Sequence, residues 1–193
     1  MDSIDYYNRN AVTFYDNTVD LDMEDVLERF IELLPEGSAV LDLGCGSGRD
    51  SIYLIENGFD VTALDGSKEL CELAEIHIGQ DVLNMNFSDI EFDHVFDGIW
   101  ACASLLHVKE DELDQILDKV IHSLKTGGVL YMSFKHGDFS GQRNQRYFVD
   151  FNVKSLKELI GRHKDIEIID IFVTDDVSDK QKQEWINAFV RKL

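Results

Sequence analysis

Glycines at alternate positions, Gly44, Gly46 and Gly48, directly follow an apolar run at 39–43. After a strand, this spacing lets the chain turn tightly and lets a ligand approach the backbone without obstruction by Cβ atoms. A helix that starts there adds free N–H groups aimed at the same ligand. The plain alternative is a tight strand-to-helix turn. A dinucleotide fingerprint, Gly-x-Gly-x-x-Gly, fails in both registers, because Arg49 or Ser51 occupies its last position. The triphosphate loop Gly-x-x-x-x-Gly-Lys-Ser/Thr is also absent.

Asp42 stands two residues before the first of these glycines, inside the apolar run. A buried carboxylate is costly unless paired, so Asp42 points to a cationic group or to donors at the strand end. Asp65 closes a second extended run, about 20 residues beyond the loop, where a carboxylate suits a pair of ribose hydroxyls. It also suits helix capping ahead of Ser67. Together the glycines, Asp42 and Asp65 describe a site for a nucleoside that also carries an ammonium group.

Alternating helical and extended patterns must position these residues. Met23, Val26, Leu27, Phe30, Ile31 and Leu34 share one helical face, which Pro35 and Gly37 end. Strands are expected at 39–43, 59–64, 81–85, 95–101, 129–134 and 166–173, with 185–190 either a strand or a helix. Helices are expected at 50–57, at 67–77 with Ser67 as N-cap, at 113–124 with Gly127-Gly128 stopping it, and at 152–160. Strands apolar on both faces that alternate with helices specify a parallel sheet covered on both sides. Ligands bind such sheets beyond the carboxyl ends of the strands.

Composition narrows the rest. The chain has 193 residues and a formal net charge of −20, which disfavours a nucleic-acid partner because a field of that sign repels phosphate. No basic-then-apolar leader opens the sequence, and the longest nearly apolar stretch, 98–108, is far short of a membrane span. Cys45, Cys71 and Cys102 are widely spaced, giving neither a disulfide framework nor a metal site. These features predict a cytoplasmic protein with no metal and no membrane partner. They set no oligomeric state.

The segments 40–48, Asp65, Phe96-Asp97 and Leu124-Lys125-Thr126-Gly127-Gly128, in that order, resemble the class I S-adenosylmethionine (AdoMet)-dependent methyltransferases. Gly-Cys-Gly-Ser-Gly-Arg-Asp-Ser at 44–51, the turn Asp65-Gly66-Ser67, Trp100-Ala101-Cys102-Ala103-Ser104-Leu105-Leu106-His107 and Ser133-Phe134-Lys135 look most like the tellurite-resistance-type branch. The resemblance implies an α/β fold: one doubly wound Rossmann-like domain over 1–193, with a seven-stranded, mostly parallel sheet and an antiparallel last strand. Residues 1–37 would cover the cofactor site and 38–193 would form the core. With the core fold taking up this length, a small acceptor is expected rather than a macromolecule.

The resemblance also implies roles. Asp42 would hold the methionyl amino group, while Gly44, Cys45 and Gly46 would pass close to the methionyl and ribose parts. Asp65 would bind both ribose hydroxyls, and Gly66 and Ser67 would border the adenine. The acid that usually meets the adenine amino group is missing at 84–87, so Met85 and Asn86 are placed beside the ring. Ala101 and Cys102 would flank the methionyl chain, Leu106 the sulfonium side, and Tyr15 would close over the cofactor.

For the transfer itself, His107 is the candidate base, with a structural histidine bonded to the backbone as the alternative. Cys102 reads as a small apolar wall rather than a nucleophile. Lys135, Arg143 and Arg146 cluster in the glycine-containing stretch 135–148, read as a mobile lid where Arg143 or Arg146 binds an anionic or oxygen-rich acceptor; surface salt bridging is the other reading. Trp185 either walls the same pocket or packs the sheet edge, and 175–180 reads as a solvated turn. The expected function is AdoMet-dependent methyl transfer to a small acceptor, anionic or a thiol or chalcogen species, leaving S-adenosylhomocysteine (AdoHcy). Non-catalytic AdoMet binding and an NAD(P)-dependent oxidoreductase are the rivals.

Overall fold

The computed structural model describes residues 3–178 and 183–193. Two helices come first, α1 (Ser3–Thr18) and α2 (Glu24–Ile31), then β1 (Ala39–Leu43), α3 (Arg49–Glu56), β2 (Asp60–Asp65), α4 (Lys68–Ile78) and β3 (Val82–Asn84). The second half holds β4 (Phe96–Ala101), α5 (Glu110–Ser123), β5 (Leu124–Lys135), β6 (Ser140–Arg143), β7 (Arg146–Val149), α6 (Val153–Ile160), β8 (Ile166–Asp175) and β9 (Glu184–Lys192). Seven strands form one sheet in the order β3-β2-β1-β4-β5-β9-β8, and β6 and β7 form a separate two-stranded ribbon. The pairs from β3 to β5 are parallel, and β9 runs antiparallel to both β5 and β8.

Residues with alternating orientation along the central strands feed two apolar layers. Leu41, Leu43, Ile99 and Met132 pack toward α5 and α6, whereas Val40, Trp100 and Tyr131 pack toward α2, where Phe30 meets Trp100. Both faces are covered, which is why the strands read as continuous apolar runs rather than alternating ones. The order reverses between β1 and β4, so the carboxyl ends of those strands open on a crevice. Asp42, the glycine loop, Asp65 and the segment after β4 converge there.

Several expectations change. The helix expected to stop at Gly127-Gly128 ends at Ser123, and both glycines lie inside β5. Gly128 has no room for a side chain: a Cβ would sit 2.9 Å from the Lys125 carbonyl oxygen and 3.0 Å from that of Asp97. The segment 184–192 is a strand, since its apolar residues fill the gap between β5 and β8 on both faces. The stretch 135–148 is no open lid loop. Asn144 and Gln145 both take left-handed φ, +51° and +66°, and form a two-residue turn that closes a β6–β7 hairpin. Of the solvated turn expected at 175–180, residues 179 and 180 lie outside the described residues. Asp175 ends β8, and Asp176 accepts a hydrogen bond from the Trp185 indole.

Candidate active site

A cleft of about 1250 Å³ opens at the carboxyl ends of β1, β2, β4 and β5 and is roofed by α1 and the hairpin. Its floor is the glycine loop. Gly44 has φ of +79°, and a Cβ there would lie 2.5 Å from Ser104 Cβ; a Cβ on Gly46 would come within 3.0 Å of the Phe14 ring. Only glycines let this loop pass between the β4 segment and α1 while keeping its backbone toward the cleft.

Asp42 is buried at the base of this loop and accepts a hydrogen bond from Ser51 Oγ at 2.5 Å. Burial, reinforced by neighbouring Asp50, pushes its carboxyl up to about 7. No cation pairs with it among the described residues, which leaves a carboxylate site ready to take a positive charge. Beside it, Arg49 makes a forked contact with Asp50, Nε to Oδ1 at 2.6 Å and Nη2 to Oδ2 at 2.8 Å. Trp100 Nε1 holds the same Asp50 from behind at 2.8 Å. Burial works against the Arg49 charge, yet the Asp50 carboxylate outweighs it and holds the guanidinium firmly protonated. Arg49 lines the cleft, so one wall presents a carboxylate and a guanidinium side by side. That pair fits the ammonium and carboxylate of an amino-acid group.

Asp65 lies across the loop. Gly46 N–H donates to its Oδ2 at 3.0 Å and Ser67 N–H to its Oδ1 at 2.8 Å, which fixes the plane of the carboxylate toward the cleft. Burial raises its pKa, and the backbone donors act against that rise. Ser104 Oγ adds a buried hydroxyl with no partner among the described residues, next to Gly44. An amino-acid carboxylate and ammonium, a diol and a further acceptor or donor for Ser104 would satisfy every one of these groups.

The far end of the cleft has the opposite sign. The Lys135 ammonium rests 5.1 Å from the Phe148 ring and 5.8 Å from the Trp185 ring, with no hydrogen bond or ion pair among the described residues. Burial lowers its pKa, and Arg143 and Arg146 add to the effect. Arg146 stacks over Tyr6 and Phe148 and donates to the Tyr7 hydroxyl at 3.0 Å, while its buried Nε finds no acceptor among the described residues. Carboxylates outnumber cations heavily in this chain, yet neither of these two cleft cations has an anionic partner among the described residues.

His107 sits between the two ends with both ring nitrogens engaged. Its Nδ1 is 2.7 Å from the Tyr147 carbonyl oxygen and its Nε2 is 2.7 Å from the Tyr7 hydroxyl. The carbonyl requires a proton on Nδ1, so Nε2 accepts from Tyr7. Burial, together with Arg146 and Lys135, drives its pKa down to about 4. Cys102 lines the cleft, and burial beside Asp50 pushes its thiol up to about 12, so it is a wall and not a thiolate.

Of the residues singled out from sequence, Asp42, Gly44, Cys45, Gly46, Asp65, Gly66, Met85, Asn86, Cys102, Leu106, His107, Lys135, Arg146 and Trp185 all line this one cleft. Four do not. Tyr15 points away and meets the His77 ring edge-on at 6.0 Å, because Tyr7 and Phe14 occupy the helical face of α1 turned to the site. Ser67 spends its hydroxyl on capping α4 and on Asn8 of α1. Ala101 is the last residue of β4 and is fully buried in the sheet, so the cleft wall begins one residue later. Arg143 is tied to Asp150 by a salt bridge at 2.9 Å, on the outer strand of the hairpin. The site also recruits Tyr7, Phe14, Arg49 and Ser104, none of which was picked out from sequence. A charged residue directly after the third glycine was the available signal for Arg49.

Residues 40–128 match the family model described as "Methyltransferase domain". The structure superposes on the Burkholderia thailandensis 1,6-didemethyltoxoflavin-N1-methyltransferase with a TM-score of 0.82, at 23% identity, covering 98% of this chain and 87% of that one. The two share one fold, a seven-stranded, mostly parallel sheet of Rossmann-like type. Among curated proteins, the chain is 33% identical over 124 residues to an uncharacterized methyltransferase of Staphylococcus carnosus, covering 60% of each. It is 32% identical over 136 residues to the putative methyltransferase YqeM of Bacillus subtilis, covering 63% of this chain and 54% of that protein. The matches thus span about 60% or less of these relatives' length. No helix among the described residues is long and apolar enough to cross a membrane.

Proposed function

We propose that this chain is a methyltransferase that uses AdoMet to methylate a small acceptor bearing a negative charge. The observation that carries it is the polarity of the cleft: Asp42, Arg49 and Asp65 at one end, and at the other Lys135 and Arg146, which have no ion-pair partner among the described residues. When bound, AdoMet supplies a methyl group already activated on a sulfonium, and its loss leaves AdoHcy. Asp42 takes the methionyl ammonium, Arg49 the carboxylate, and Asp65 the ribose hydroxyls. Met85 and Asn86 border the adenine. Phe14 and Tyr7 of α1 cover the site, and Leu106 and Cys102 wall the sulfur side. In this assignment residues 1–37 act as the cover and 38–193 as the core.

At the acceptor end, Lys135 and Arg146 hold the anion against the rings of Phe148 and Trp185. Their charges also favour a deprotonated acceptor, which removes the need for a strong base. His107, committed at both nitrogens and lowered in basicity, orients Tyr7 and the hairpin rather than taking the proton. The segments 44–51 and 100–107 favour the tellurite-resistance-type branch, and a thiol or chalcogen anion belongs to the acceptor class this site suits. The free cysteines suit a reducing, cytoplasmic setting.

The test is calorimetry with AdoHcy, followed by AdoHcy release across thiols, acidic phenols, chalcogen oxyanions, carboxylates and neutral amines. AdoHcy binding and turnover confined to the anionic acceptors are expected. NADH binding without AdoHcy binding would overturn the reading in favour of an oxidoreductase. AdoHcy binding without turnover on any of these acceptors would leave a binding module.

A further inference from the structure

We propose that Asp93, His94 and His122 form a binding site for a divalent transition-metal ion of the zinc class, separate from the methyl-transfer cleft. The three side chains are exposed, and one ligand atom from each lies within 4.8 Å of the others. A single oxygen, Asp93 Oδ1, stands 3.1 Å from His122 Nε2 and 3.5 Å from His94 Nε2. Ligand atoms at the corners of a zinc tetrahedron, with bonds of roughly 2.0–2.1 Å, lie about 3.3 Å apart. The two measured edges bracket that value. Two imidazoles and one carboxylate select zinc, nickel or copper over magnesium or calcium, and leave a fourth position for water.

The proton positions at His94 point the same way. Its Nδ1 lies 2.9 Å from the Leu124 carbonyl oxygen and 3.0 Å from Lys192 Nζ. Lys192 already has three carbonyl acceptors, Leu124 at 2.7 Å, Ile121 at 2.8 Å and His122 at 3.3 Å, which match its three protons. Nδ1 therefore carries a proton and donates it to Leu124. The other ring nitrogen, Nε2, is left to face the Asp93 carboxylate at 3.5 Å. A histidine that donates its other N–H to a backbone carbonyl has the support that metal-ligating histidines normally have.

The backbone presets this arrangement. His94 N–H donates to the His122 carbonyl at 3.2 Å, and Val95 N–H to that of Ser123 at 2.9 Å, which locks the turn before β4 against the end of α5. His94 itself sits at φ +52°, a conformation uncommon outside glycine but better tolerated by histidine than by bulky residues. The cluster lies at the amino end of β4 and the cleft beyond its carboxyl end, six residues away or about 20 Å. A bound ion would join α5, β4 and, through Lys192 and Leu124, the end of β9.

The experiment is isothermal titration of ZnCl2 and NiCl2 into EDTA-stripped full-length chain, with thermal unfolding monitored alongside. One equivalent of metal and a rise in Tm are expected. His122→Gln and Asp93→Asn, both exposed and safe for folding, should each weaken binding at least ~10-fold and cancel the Tm rise. His163→Gln, which alters a different histidine–carboxylate cluster with Asp114 and Asp118, should leave both unchanged. Absence of saturable binding overturns the proposal. So does binding that persists in a His94→Gln, His122→Gln double variant. The AdoHcy affinity of these variants should match wild type, so failure here and failure of the methyltransferase reading are told apart.

Discussion

The Tyr7 hydroxyl lies 2.7 Å from His107 Nε2, joining the first helix to the segment that follows β4. The opposite nitrogen of the same ring meets the Tyr147 carbonyl oxygen, so one imidazole binds together α1, the β4 exit and the β6–β7 hairpin. These are the pieces that roof the cleft. Tyr147 N–H donates to Ser3 Oγ at 3.1 Å, a second tie between the hairpin and α1.

This pin should show in the pH dependence of stability. The folded-state pKa of His107, about 4, lies below its ordinary value of 6.5. The unfolded chain therefore binds the extra proton first, and the His107 contribution is complete above pH 6.5 and is lost as pH falls toward 4. Asp42, raised to about 7, acts in the opposite sense, so the difference between wild type and His107→Gln is the proper measure. The variant should be less stable by about 1–3 kcal/mol at pH 7, from two lost buried hydrogen bonds. That gap should narrow by up to about 3 kcal/mol between pH 7 and pH 4 in urea unfolding. A gap independent of pH would remove His107 from this role.

Asp42 gives the ligand end its own pH signature. A carboxyl near 7 in the free protein must ionise to hold an ammonium group, so AdoHcy binding should release a proton below pH 7. Affinity should rise from pH 6 to pH 8 and then level off. Calorimetry in two buffers of different ionisation enthalpy counts the protons. Asp42→Asn should weaken binding by about 1–3 kcal/mol and abolish the release.

Asp65→Ala should weaken AdoHcy binding by about 1–3 kcal/mol through loss of a charged hydrogen-bond pair. The same variant leaves the Gly46 and Ser67 N–H groups without their acceptor, so circular dichroism and Tm should accompany the titration. An unchanged affinity in a folded Asp65→Ala protein contradicts the ribose assignment.

Cys102 should behave as an inert wall. With its thiol pushed up to about 12, alkylation by iodoacetamide at pH 8 should be much slower than for a free thiol. Cys102→Ala should retain AdoHcy binding and turnover. Rapid alkylation that abolishes turnover would restore the nucleophile reading.

Lys135→Ala should separate the two ends of the cleft. Turnover of anionic acceptors should fall through a higher KM, while AdoHcy affinity stays within about twofold, because the ammonium sits among Phe148 and Trp185 rather than near Asp42. Equal loss at both ends would show that the charge supports the whole cleft.

Local chemistry made much of this molecule legible from sequence. Apolar runs that alternate with helical spacing mark most strands of a parallel sheet, the antiparallel last strand comes from the family resemblance, and the glycine loop between Asp42 and Asp65 lies where the cleft opens. Those signals are carried by neighbours in the chain, so periodicity and spacing suffice. The roof of the cleft is another matter. Which face of α1 turns inward decides Tyr7 and Phe14 over Tyr15, and that depends on packing against residues about a hundred positions away. Arg143 and Arg146 look alike in sequence, yet the two-residue turn between them sends one to Asp150 and the other into the cleft. The Asp93–His94–His122 cluster likewise needs a turn and a helix end brought together by backbone hydrogen bonds. Side-chain direction across long separations is fixed only when the chain has closed on itself, and there the tertiary structure decided the chemistry.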